Sequence, residues 1–201
     1  MNILYIDYGG RLGDDYMYQY YGDLYRELLK LCKVYLYEGP HIDIDQLLSK
    51  IDVDIDCIFF GLGYFARRDP QAYGKIKGLS ETKILKAAYF HKAQIMLPEK
   101  LNFCKINNFD LFLDSQITYK DYADLVSAQP FRAWFSASPD IYRPRNIDKK
   151  YDIGFSGATH GAGKTVGVTQ DIRDRIYDLL QETSYKVFWK KHHRPEDRIS
   201  S

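Results

Sequence analysis

Residues 56–63, DCIFFGLG, decide how the rest of the chain is read. Cys57, Ile58, Phe59 and Phe60 form an unbroken apolar run, closed by Gly61 and Gly63. A short run without polar alternation, bounded by glycine, marks a strand buried on both faces, the condition of an inner strand in a parallel sheet. Upstream, NILYID (2–7) is a similar strand, followed by the turn cluster YGGRLGDD (8–15). Tyr18, Tyr21, Tyr25, Leu28, Leu29 and Cys32 then recur at i, i+3, i+4, which predicts a helix from Asp14 to Cys32 with Asp14 or Asp15 as its N-cap. KVYLYEG (33–39) and DIDQLLSKI (43–51) supply the next strand and helix. Downstream the alternation continues through strand TKILKAAYFH (82–91), helix PEKLNFCKINN (98–108) with Pro98 in its first turn, strand DLFLDS (110–115), helix TYKDYADLVS (118–127) and strand FRAWFSA (131–137). Strands alternating with helices at this spacing predict an α/β fold: a Rossmann-like parallel sheet, helices on both faces, joined by right-handed crossovers.

The rhythm breaks at SPDIYRPRNIDKK (138–150), whose prolines and charges read as an exposed connector. It restarts with strand YDIGFSG (151–157), helix QDIRDRIYDLLQE (170–182) and strand YKVFWKK (185–191). The expected organisation is a Rossmann-like domain over 1–148, and over 149–201 the first β-α-β elements of an incomplete second α/β unit.

A hydrophobic fraction of 45% over 201 residues supports a real core. Lys and Arg total 28 against 27 Asp and Glu, so no global field draws nucleic acid to the chain. The 18 tyrosines suit a polar ligand such as a sugar, and equally a core edge where each ring is buried and each hydroxyl reaches a partner. Cys32, Cys57 and Cys104 are odd in number and widely spaced, against a disulfide framework or zinc site and for a reducing compartment. With no basic-then-apolar leader and no apolar run near the roughly 18 residues of a membrane span, a cytoplasmic protein is expected.

Several residues stand where open α/β sheets bind ligands, at the carboxyl ends of strands. Gly9 and Gly10 let the backbone approach a ligand, and with Arg11 they precede a helix whose first amides favour an anion; a tight turn with a surface arginine fits the same residues. Gly61, Gly63, Arg67 and Arg68 follow the third strand, where the arginines suit phosphate or an anionic acceptor, or are ordinary charges on a solvated loop. His91, Asp7 and Asp114 end strands, as proton-handling groups or as caps of the next turn. Residues 158–165, ATHGAGKT, fit a relaxed P-loop pattern. A true P-loop needs its helix to begin at Lys164-Thr165 and a later strand ending in a magnesium-binding aspartate, whereas YKVFWKK ends in lysines. The adjacent His192 and His193 would point to opposite faces of a strand, so no two-histidine metal site is expected there.

The stretch ASPDIYRPRNIDKKYDIGFSGATHG (137–161) resembles the interdomain crossing of GT-B glycosyltransferases, in particular the spore-maturation (CgeB-like, YkvP-like) group. Pro139, Tyr142 and Pro144 match that group's D-P-x-x-F-x-P segment, with Ser138 where the family usually carries Asp. RDRIYDLL, YKVFWKKH, YFHK and NNFDLFLDS resemble further elements of the two family domains, so the likeness covers nearly the whole chain. It implies transfer of a sugar from a nucleotide-diphosphate donor to an acceptor hydroxyl on a glycan, protein or small molecule, with no bound metal or other cofactor. It places Gly9, Gly10 and Arg11 at the cleft and Gly157, His160 and Lys164 in the loop that contacts the donor phosphates; His91, ending the fourth strand, is the candidate for the catalytic base that transfer with inversion needs. Most family donor contacts lie beyond the region matched here, so the chain is expected to be a fragment, or to take its missing half from a partner chain, and to have little transferase activity alone. Two other readings stay open: a non-catalytic sugar- or partner-binding module of the same fold, and a P-loop phosphotransferase using residues 158–165.

Overall fold

A computed structural model of the chain describes residues 1–8, 15–90, 95–133, 148–158 and 168–192. It divides into two compact units, Met1–Ser138 and Pro139–Ser201.

The first unit is built on a six-stranded sheet: β1 (Asn2–Ile6), β2 (Lys33–Tyr37), β3 (Cys57–Phe60), β4 (Leu85–Tyr89), β5 (Leu111–Asp114) and β6 (Gln129–Arg132). The order is β2-β1-β3-β4-β5-β6 and every pairing is parallel. This is the Rossmann-like α/β architecture that the strand–helix alternation predicts.

Alternate residues of the inner strands sort onto two faces, as a two-residue period requires. Leu4, Ile6, Ile58, Phe60, Ala88, Phe90 and Phe112 pack on one face. Ile3, Tyr5, Cys57, Phe59, Ala87 and Tyr89 pack on the other. Burying each of the large side chains is worth about 1.5–3 kcal/mol, so the sheet's centre dominates the stability of this unit. Right-handed crossovers decide which helix covers which face. The β1-to-β2 step runs opposite in direction to every later step, so α1 (Asp15–Leu31) lies on the second face, where Leu24, Tyr25 and Leu28 meet Tyr5 and its neighbours. The helices α2 (Ile44–Leu48), α3 (Leu97–Ile106) and α4 (Tyr119–Val126) cover the first face through Ile44, Phe103, Cys104, Ala123 and Val126.

Local chemistry sets the helix ends. The Asp43 carboxylate caps α2 by accepting from the Gln46 amide at 3.1 Å, and Lys77 bonds the same carboxylate at 2.8 Å. Pro98 lies in the first turn of α3 as its spacing predicts. Ser127, at φ 58°, closes α4 in the left-handed region and turns the chain straight into β6. That strand therefore starts two residues before the predicted Phe131 and includes Pro130. Proline has no amide hydrogen to give a ladder, and β6 tolerates it as an edge strand, bonded among the described strands to β5 alone.

The connection from β3 to β4 carries two short 3-10 turns, Tyr64–Ala66 and Pro70–Tyr73, instead of a crossover helix. Asn107, fully buried just after α3, ties it down: its Oδ1 accepts from the Ile76 amide at 2.9 Å, and its Nδ2 donates to the carbonyls of Phe103 at 2.9 Å and Gly74 at 3.3 Å. Asn107→Ala strands the Ile76 amide in the interior, so a loss of about 1–3 kcal/mol is expected, read as a lower urea midpoint with an unchanged slope.

The second unit consists of β7 (Ile153–Ala158), α5 (Val168–Gln181) and β8 (Val187–His192). β7 and β8 pair in parallel, Ile153 opposite Val187 through Ala158 opposite His192, in a sheet of their own. The Asp152 carboxylate accepts from the Lys186 amide at 2.8 Å and opens the ladder.

Candidate functional site

In the first unit the chain steps from β1 to β2 in one direction and from β2 past β1 to β3 in the other. Loops leaving the carboxyl ends of β1 and β3 therefore part, and such a reversal is where open α/β sheets form their ligand crevice. Asp7 and Tyr8 begin the first of these loops, and Gly61–Asp69 form the second.

Asp7 is buried, and one carboxylate oxygen accepts from the Tyr8 amide at 2.8 Å. The carboxylate lies directly against Gly61 and Gly63. A Cβ at Gly61 would sit 2.5 Å from Asp7 Oδ2 and 2.7 Å from Tyr5 Cζ; one at Gly63 would sit 2.9 Å from Asp7 Cγ. The close approach these glycines permit is thus made by the protein's own Asp7 and Tyr5. Burial, and next the adjacent Asp7 charge, push the Tyr5 phenol well above its ordinary value, so it stays protonated beside the carboxylate.

Arg67 is held by the two 3-10 turns. The Tyr64 hydroxyl donates to the Ala72 carbonyl at 2.7 Å, and the Tyr73 hydroxyl donates to the Arg67 carbonyl at 3.0 Å. These tyrosines act as buried rings with satisfied hydroxyls, the structural role that residue type allows. The Arg67 guanidinium then rests 4.4 Å from the ring centre of Tyr8 and 5.5 Å from that of Tyr64. Contacts of this kind contribute about 0.5–2 kcal/mol each and fix the direction of the charge. The Asp69 carboxylate lies 3.8 Å from the guanidinium, and its side chain is 55% exposed. Tyr8, Ala66, Arg67, Arg68 and Asp69 line a surface cavity of about 410 Å³. Arg67 and Arg68, which the sequence offers as anion ligands or as ordinary loop charges, stand together at this edge, with Arg68 exposed.

Farther along the same edge, Asp114 ends β5 and is buried; its Oδ1 accepts from the Gln116 amide at 3.2 Å. Burial raises its pKa above the ordinary 3.8, against the smaller opposing effects of the Gln116 and Ser115 amides and Lys100. Tyr89, at the end of β4, is raised as well, by burial and then by the Asp114 charge. The folded state thus binds the Asp114 proton more tightly than the unfolded chain does. That contribution to stability is complete below pH 3.8 and is lost as pH rises through the folded value. Asp114→Asn, neutral throughout, is expected to melt above the wild type at pH 7, with the gap closing as the pH falls towards 3.8; parallel melting curves across that range check it.

Among the sequence-derived candidates, Gly9, Gly10, Arg11, His91, His160 and Lys164 lie outside the described residues. Gly157 lies in β7 opposite Lys191, in the second unit. The partners of Arg67, Tyr8 and Tyr64, were not singled out from sequence. An aromatic residue immediately after the strand-ending Asp7 was the available signal, since that position faces the crevice. Among the described residues no cluster of three or more His, Cys, Asp or Glu is placed to hold a metal ion, and no helix is long and apolar enough to cross a membrane. Cys32, Cys57 and Cys104 are free thiols, and burial pushes Cys57 up to about 12.

Fold and crevice together define a Rossmann-like α/β protein with an arginine-bearing, tyrosine-walled pocket where its strand order reverses. Searches with the chain among protein-family models, curated proteins and solved structures return no match.

Proposed function

We propose that the chain is a GT-B-type glycosyltransferase, or part of one, whose first unit holds the acceptor and whose second belongs to the nucleotide-sugar side. The observation that carries this is the crevice at β1 and β3, where Arg67 is set between Tyr8 and Tyr64 at the ligand-binding edge of a Rossmann-like sheet. The likeness of residues 137–161 to the GT-B crossing supplies the reaction class. On this reading the acceptor hydroxyl lies above the carboxyl ends of β1, β3 and β4, with His91 as base. The donor diphosphate meets the loop of Gly157, His160 and Lys164. Backbone amides and basic side chains hold the leaving diphosphate, and no resident metal is required.

The P-loop alternative is disfavoured by β7, the strand ahead of the lysine loop, which pairs with β8 and lies outside the sheet of β1 and β3. Calorimetric titration with UDP, GDP, dTDP and ADP, with and without magnesium, tests the proposal. Metal-independent binding of one nucleoside diphosphate, weakened by Lys164→Ala, is the expected result. Sugar affinity with no nucleotide affinity would instead indicate a binding module. Magnesium-dependent ATP binding abolished by Lys164→Ala would replace the proposal with a phosphotransferase.

A further inference from the structure

An arginine braced on two aromatic rings has a fixed position, and how its donors are used shows whether it is braced for the fold or for a ligand. Arginine offers five N–H donors in a planar fork that matches phosphate or carboxylate oxygens two at a time. In Arg67, Nε is buried with no hydrogen-bond partner among the described residues, and the Asp69 contact, at 3.8 Å, is beyond hydrogen-bonding distance. A buried donor left unused in a native fold needs a reason, and a role in holding an acceptor oxygen supplies one.

The surroundings point the same way. Arg67 forms a wall common to two cavities, the one of about 410 Å³ shared with Tyr8 and Arg68, and another of about 290 Å³ lined also by His41, Gln71 and Lys75. Among the described residues lining them, Asp69 is the one carboxylate against the cations Arg67, Arg68 and Lys75, of which Lys75 is itself paired with Glu81 at 3.0 Å. The net charge of the whole chain is only +1, so this excess is local. Both cavities are of monosaccharide scale, too small for an extended polymer.

We infer that this paired cavity binds a sugar carrying an oxyanion, phosphate or carboxylate, with the Arg67 fork as its anchor and Arg68 as a second cation at the rim. The inference rests on the proposed function in naming the acceptor class, but oxyanion binding itself requires no donor and no transfer.

The test is titration of the 201-residue chain with glucose 6-phosphate, glucuronate, inorganic phosphate and glucose at low and high salt. At least one of the two charged sugars is expected to bind about tenfold or more tightly than glucose, with affinity falling as salt rises. Glucose 6-phosphate without glucuronate assigns the group to phosphate, the reverse assigns it to carboxylate, and inorganic phosphate should compete only in the first case. Arg67→Ala is expected to remove the preference for the charged sugar, and Arg67→Lys to restore part of it. If Arg67→Ala does not fold, the exposed Arg68→Ala decides, with an expected weakening of about threefold or more for the charged sugar and no change for glucose. Equal affinity for charged and neutral sugars, or a preference unchanged in a folded Arg67→Ala or in Arg68→Ala, overturns the inference. Nucleotide binding by the same samples is read separately, so losing one property does not count against the other.

Discussion

Phe103→Ala is expected to lower the unfolding free energy of the first unit by about 3–5 kcal/mol, the range for emptying a large aromatic site that cannot collapse. Phe103 is fully buried on α3, with the ring centres of Phe109, Tyr64, Phe60, Phe65 and Tyr73 at 5.4, 5.5, 5.6, 6.0 and 6.0 Å. Those rings come from β3, the two 3-10 turns and the loop after α3, so no small local shift can close the hole. Total stabilities are commonly about 5–15 kcal/mol, and so large a loss would leave the unit marginal at 37 °C. Urea unfolding followed by tyrosine fluorescence measures the change. A loss below about 1.5 kcal/mol would mean that the aromatic layer rearranges freely, against the packing described here. Since Tyr64 and Tyr73 also place Arg67, the substitution should weaken oxyanion binding even where the fold persists.

The second large effect is expected from Gly63→Ala, a loss of about 3 kcal/mol, at the upper end for overpacking because the new methyl meets a buried carboxylate. Asp7 cannot move away cheaply, because its own amide bonds the Tyr37 carbonyl at 3.0 Å and its carboxylate bonds the Tyr8 amide. A double-mutant cycle isolates the cause. In an Asp7→Ala background the same glycine substitution should cost less than about 1 kcal/mol, leaving a coupling of about 2 kcal/mol between residues far apart in sequence. Equal costs in both backgrounds would mean that the glycine is required by its backbone alone.

Much of the fold is legible in the sequence because the inner strands carry their environment in their composition. CIFF and LYI are apolar without alternation, and only a strand covered on both faces tolerates that. The helix bounds were read closely, whereas the start of β6 was not. Ser127 ends α4 through a left-handed conformation that serine does not advertise, and Pro130 enters β6 only because that strand is an edge. The site was half legible. Arg67 and Arg68 stood out as cations after a strand end, but what makes Arg67 distinctive is its contact with Tyr8, which comes from the far side of a strand crossover. The glycines of GLG stood out after a strand end, but that they make room for the Asp7 carboxylate was not visible in the sequence. Long-range pairings of this kind leave no local periodic trace. Asn107 shows the same limit: its bonds to Ile76 and Gly74 span about thirty residues.

The central position of β1 also bears on synthesis. Its residues pair on one side with Lys33–Tyr37 and on the other with Cys57–Phe60, the latter made about fifty residues later. At ribosomal speeds of about 5–20 residues per second, an apolar NILYI segment waits several seconds for its second neighbour. Until β3 has been made, that edge of β1 has no ladder partner, so the centre of the sheet closes only once residues 57–60 are available.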